Sequence, residues 1–212
     1  MADDKLDKNV LLKALDWTYD KVVGGVAGTS NCYELAQEYL RKYVDPKIAA
    51  RKLANMQITK CATTGFLTGL GGLITLPVTL PANITAVWFV QLRMIAAIAV
   101  LGGLDPKDDQ VQTLCYACLS GSGGVDIVKQ AGIQFAKQGG KVLIKKIPGE
   151  VFKAMNAKLG MRFITKFGEK GIINLGKGVP VLGGLVGGGI DLASTRVIAN
   201  TAIRLFLSDI IY

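Results

Sequence analysis

Apolar positions recur at helical spacing through most of the chain. Over 7–26, Leu11, Leu15, Tyr19, Val22, Val23 and Val26 fall three or four residues apart, on one face of a predicted helix. Gly24, Gly25 and Gly28 interrupt it, and a second helix is predicted over 31–43, with Tyr33, Leu35, Ala36, Tyr39 and Leu40 apolar. Asp45-Pro46 opens a third over 46–60; proline suits the first turn because its missing N–H has no helical partner there. Asp108-Asp109 opens another, running to about Leu119, with both acids favourably placed at its positive end. Further helices are predicted over 125–138, 150–168 and from Pro180 onward. β-branched residues nowhere alternate cleanly with polar ones, so strands have little support. The pattern is that of an all-α chain: a multi-helix bundle of eight or nine helices in a single domain over 1–212, with no significant β-sheet.

One stretch departs from amphipathicity. Cys61 to Leu92 holds no charged residue, and Pro77 and Pro81 divide it into a glycine-rich piece, 62–76, and an apolar piece, 82–101. The second piece would be about 30 Å long as a helix, which is membrane-spanning length. Gln91 and Arg93 sit near its middle, however, and a central arginine costs roughly 2.5–3.5 kcal/mol on insertion. A buried, glycine-rich helical hairpin inside a protein core is therefore the expectation.

Charge and composition narrow the function. The chain carries +9, and the segment 129–177 accounts for all of it, with eleven Lys/Arg against Glu150 and Glu169. A local cationic surface suggests an anionic partner. Histidine is absent, which removes Ser-His-Asp and Cys-His triads and HExxH zinc sites. The acidic start, Met-Ala-Asp-Asp-Lys, does not resemble a secretory signal, so Cys32, Cys61, Cys115 and Cys118 are expected as reduced thiols in the cytoplasm.

Four constellations carry candidate chemistry. Arg93 and Asp191 are nearly isolated charges in apolar surroundings; they are expected to pair, or Arg93 to be held by backbone carbonyls and Gln91, with Arg196 completing a buried polar motif. Gly65 and Gly69, and Gly183, Gly184, Gly187 and Gly188, have the four-residue spacing that lets helices approach closely. Lys158, Arg162, Lys166 and Lys170 form a cationic stripe beside Phe152, Met155, Leu159, Phe163 and Phe167, the make-up of an interfacial helix; Lys145 and Lys146 extend it. Cys115-Tyr-Ala-Cys118 lies inside a predicted helix with no second ligand pair, which makes buried inert thiols the expectation and gives no metal or cofactor site. The basic segment contains no Tyr, Trp or nucleic-acid reading motif, so nucleic acid is not favoured.

Two of these regions carry a family likeness. Thr68-Gly-Leu-Gly-Gly-Leu-Ile-Thr-Leu-Pro77, Pro81-Ala82, Val90-Gln-Leu-Arg-Met-Ile-Ala-Ala-Ile98 and Gly103-Leu-Asp105 resemble the EcsC protein family. So does Val179-Pro-Val-Leu-Gly-Gly-Leu-Val-Gly-Gly-Gly-Ile-Asp191 with Ser194-Thr-Arg196, and the likeness covers about 30–207. It implies a helical, glycine-rich, membrane-associated protein in which Gln91, Arg93, Asp191 and Arg196 are motif positions with no chemistry attached. The expected function is engagement of anionic lipid or a membrane surface through the basic amphipathic segment, without an evident catalytic site, by a cytoplasmic protein peripheral to a membrane. A membrane protein is a further candidate partner. The alternatives are a lipid-binding or lipid-transfer module with an apolar cavity and, third, a hydrolase.

Overall fold

The computed structural model describes residues 8–62, 82–131, 148–167 and 183–207, and among them are eight α-helices and no strand. The first two follow the amphipathic pattern closely, whereas in the third Ala49 and Leu53 are buried as expected but Ile48 and Met56 are exposed. Helix α1 (Lys8–Gly24) buries Leu11, Ala14, Leu15, Thr18, Tyr19 and Val22, and ends where Gly25 takes a left-handed φ of +95°. Helix α2 (Cys32–Tyr43) starts with a capping box: Asn31 Oδ1 accepts from the Glu34 amide at 2.9 Å, and the Glu34 carboxylate accepts from the Asn31 amide at 2.9 Å. Loss of such a cap costs about 1 kcal/mol. Asn31→Ala should therefore lower the melting temperature by roughly 2–4 °C, measured by thermal unfolding; an unchanged value would mean that the cap is not formed. Helix α3 (Pro46–Ala62) is capped by Asp45, whose carboxylate accepts from the amides of Lys47 at 2.7 Å and Ile48 at 3.1 Å.

Helix α4 (Ala82–Leu101) is the axis of the molecule. From Thr85 to Leu101 every residue except Val87 and Val100 is buried. Its apolar surface is covered by α1, α2, α3, α5 (Asp109–Leu119) and α8 (Gly183–Leu207), so protein rather than lipid fills the space around it. Its membrane-like length is the length of a core helix. Among the described residues no helix is long and apolar enough to cross a membrane. The glycine-rich half of the expected hairpin lies outside the described residues.

After α5, a tight turn at Gly121 (φ +71°) leads into α6 (Ser122–Gln130). That helix begins three residues before the predicted 125, because Gly123 and Gly124 are part of it, and it is described only as far as Gln130 rather than to 138. Helix α7 (Gly149–Phe167) packs on α1, α5 and α6. Helix α8 closes the bundle against α3 and α4.

Candidate functional site

The buried polar residues of α4 point to different neighbours. Gln91 donates from Nε2 to Thr195 Oγ1 on α8 at 2.9 Å. Arg93 is two residues on, about 200° round the helix at ~100° per residue, and faces α2 and α3. Its guanidinium, with only 3% of the residue exposed, donates from Nη1 to the Ser30 carbonyl at 3.2 Å and from Nη2 to Gln57 Oε1 at 3.3 Å. The Phe89 ring lies 5.2 Å from it, and burial lowers its pKa. Arg93 is thus held by a backbone carbonyl, as one expectation had it, but by Gln57 in place of Gln91. The expected pairing with Asp191 falls outside the described side chains.

Arg196 does not belong to this buried set. The inward face of α8 is Thr195, Ile198, Ala199 and Ala202, all at most 2% exposed, and Arg196 is turned about 100° off it into solvent. The sequence placed it inside because its neighbours are apolar, and a step of one residue round the helix is enough to reverse that.

Beside Arg93 lies a pocket of about 190 Å³, bordered by Ser30, Leu35, Glu38, Tyr39, Lys60 and Arg93 among others. Burial and the nearby Arg93 charge lower the Lys60 pKa, and Glu38 opposes them. The pocket is small and carries charges of both signs; it is not an apolar cavity of acyl-chain size.

The basic helix α7 divides sharply. Phe152, Met155, Leu159 and Phe163 are at most 5% exposed and complete the core. Lys153, Lys158 and Arg162 are exposed, as is Met161 at 58%, and Lys158 Nζ donates to Gln130 Oε1 at 3.4 Å. The apolar stripe that suggested an interfacial helix is therefore consumed by packing from Phe152 to Phe163, with the side chain of Phe167 outside the described residues. Of the large apolar residues of α7 described as exposed, Met161 faces outward with the cations, beside Glu150, Ala154, Asn156 and Ala157. Lys145, Lys146 and Lys170, and the side chain of Lys166, lie outside the described residues. So do Gly65 and Gly69 and the surroundings of Gly183, Gly184, Gly187 and Gly188.

A second cationic surface was missed by sequence reasoning. At the α2–α3 turn, Leu40, Val44 and Ile48 are 38%, 79% and 46% exposed, and Met56 continues along α3 at 48%. Arg41, Lys42, Arg51 and Lys52 are exposed around them, and Lys47 is partly so. The one acid within the turn, Asp45, is occupied in capping α3. Its net charge was hidden in the balanced remainder of the chain, and its aliphatics were read as part of ordinary helix faces. Aliphatic residues at positions 40, 44 and 48 across a turn, with lysines and arginines between, were the available signal.

The cysteines and phenols are set for packing. All four cysteines are buried; burial pushes the Cys32 and Cys115 thiols up to about 12, and Cys118 is also raised. Such thiols stay protonated and unreactive at neutral pH. Tyr19 donates to the Pro106 carbonyl at 2.8 Å and Tyr116 to Asp16 at 2.7 Å, tying α1 to α5 and its approach. Among the described residues no group of His, Cys, Asp and Glu could hold a metal.

These features define an all-α protein organised round a central helix with a buried arginine, with two exposed cationic surfaces on different helices. Residues 46–207 match the model of the EcsC protein family, and the chain belongs to that family. No curated protein and no solved structure matches it.

Proposed function

We propose that this protein is a peripheral membrane protein that docks on anionic bilayers, at the cytoplasmic face, through the α2–α3 turn. The observation that carries the reading is the exposed aliphatic set Leu40, Val44 and Ile48 surrounded by five cations. Each methylene moved out of water contributes about 0.8 kcal/mol, and each Lys or Arg near an anionic surface about 1 kcal/mol. The two contributions act together at one place, which the outward face of α7 does not offer: there the large apolar residues are already buried. That face remains as a weaker, purely electrostatic contact. The lipid-transfer alternative has no support from the pocket beside Arg93, whose lining is charged.

Co-sedimentation with vesicles tests this. Binding is expected to vesicles of phosphatidylcholine with phosphatidylglycerol, to fall as salt rises, and to vanish on phosphatidylcholine alone. The variant Val44→Asn/Ile48→Ser removes about 2 kcal/mol or more of apolar contact and should weaken partitioning ~30-fold. Val44 has a positive φ of +59°, which asparagine adopts more readily than a β-branched residue, and a circular dichroism spectrum matching that of the native chain checks that the variant folds. Lys153→Gln/Lys158→Gln on α7 should cost less. Binding indifferent to lipid charge and salt would overturn the reading. Binding that survives Val44→Asn/Ile48→Ser but fails in the α7 variant would transfer the site to α7.

A further inference from the structure

Arg93 is an unusual residue to bury as this fold buries it. Its acceptors, the Ser30 carbonyl and Gln57 Oε1, are both neutral, and they lie at 3.2 and 3.3 Å. The bonds a guanidinium makes to a carboxylate or phosphate close to about 2.7–2.9 Å. Its Nε has no hydrogen-bond partner among the described residues, and no carboxylate among them hydrogen-bonds the guanidinium. Among the described residues, a buried cation held this loosely lacks the compensation that buried charges ordinarily have.

The pocket lies against this cation. Lys60, from the C-terminal part of α3, borders the same space and feels the Arg93 charge as a repulsion. Two cations thus converge on one small cavity. The third charged group on its wall, Glu38 of α2, is exposed and close enough to Lys60 to favour its charged form. The α2 N-terminus does not compete for an anion, because its capping box already engages the Glu34 amide.

We propose that this pocket binds a small zwitterion: a carboxylate or phosphate group seated between Arg93 and Lys60, with a primary ammonium turned to Glu38. The anionic group supplies the charged acceptor that Arg93 lacks among the described residues and separates the two cations. A ligand with negative charge alone would meet the Glu38 carboxylate, whereas an ammonium beside the anionic group pairs with it. Drug-sized pockets begin near ~300 Å³; at about 190 Å³ this one limits the occupant to a few heavy atoms, with Leu35 and Tyr39 walling a short spacer. The site is at the base of the α2–α3 hairpin, beside the α1–α2 loop, and does not depend on the membrane reading.

Calorimetric titration and thermal unfolding of the full chain test it with phosphoethanolamine and β-alanine as complete probes, and inorganic phosphate and ethanolamine as half-probes. At least one complete probe should bind saturably in the millimolar range or tighter and raise the melting temperature. Ethanolamine should bind at least tenfold more weakly, and so should phosphate. Lys60→Gln and Glu38→Gln are more exposed than Arg93 and leave its contacts intact. Lys60→Gln should weaken the complete probe about tenfold. Glu38→Gln should weaken it while strengthening phosphate, a change of sign that a structural role for Glu38 would not produce. Vesicles of phosphatidylcholine with and without phosphatidylethanolamine separate the sources: retention by the second lipid with no soluble binding assigns the site to a lipid headgroup, and soluble binding assigns it to a free zwitterion. Absence of binding in both arms, or binding unaffected by Lys60→Gln, overturns the proposal.

Discussion

Gly124→Ala should lower the melting temperature by roughly 6–12 °C, Gly102→Ala should also lower it, and Gly160→Ala should leave it unchanged or raise it. A Cβ on Gly124 would fall within the backbone carbonyl of Ala117, at the crossing of α5 and α6, and one on Gly102 would meet the Phe206 carbonyl of α8. Backbone atoms cannot rotate away as a side-chain end can, so whole helices must shift. Overpacking ordinarily costs about 1–3 kcal/mol, and a backbone collision lies at or above the top of that range. At roughly 2–4 °C per kcal/mol for a chain of this size, the Gly124 shift follows. Gly160 is the control. Its Cβ would meet only the Leu12 methyl groups, at 3.8 and 3.9 Å, an ordinary contact. In the interior of α7 alanine then gains up to about 1 kcal/mol over glycine. Circular dichroism melts of the three variants check the contrast; a Gly124→Ala variant as stable as Gly160→Ala would mean that α5 and α6 do not cross as described.

That contrast shows what the chain disclosed and what it withheld. The helices α1, α2 and α3 were legible because each carries apolar residues at helical spacing, and α2 and α3 add a local boundary signal: the Gly24–Gly28 break before α2 and Pro46 for α3. Family membership was legible from the two apolar motifs. The tight approaches at Gly102 and Gly124 were not, because neither lies in the Gly-xxx-Gly pairs that the sequence singled out, and what makes them tight is a carbonyl 104 or 7 residues away. The partners of Arg93 lie 63 and 36 residues away, and no local pattern encodes them. The exposed turn at Val44 was hidden for a different reason. Helical periodicity reports which residues share a face, not whether a neighbour covers it.

The same ambiguity governs α7, and there it yields the sharpest test. An apolar stripe beside a cationic one fits a core helix and an interfacial helix equally, because both need one greasy face at the same period. Burial decides between them here, and Phe163 is the residue that enforces the decision. Its ring is 2% exposed and lies 6.4 Å from both the Trp88 ring of α4 and the Tyr116 ring of α5, edge-to-face with each. Phe163→Ala should therefore cost about 3–5 kcal/mol, a fall of roughly 6–20 °C in melting temperature. It should also have an effect that simple destabilisation would not produce. With its clamp removed, α7 undocks more readily and presents Phe152, Met155 and Leu159 beside Lys153 and Lys158. Anionic vesicles engage the apolar face of α7 only in that form, so they shift the population towards it. The variant should bind anionic vesicles more tightly than the native chain, and binding should survive the further change Val44→Asn/Ile48→Ser. If Phe163→Ala lowers stability but leaves binding dependent on the α2–α3 turn, then α7 stays docked on the membrane and its cationic face is a solvated surface. If the variant keeps the native melting temperature, the aromatic junction among α4, α5 and α7 does not hold the helix, and the assignment of its apolar stripe to the core fails with it.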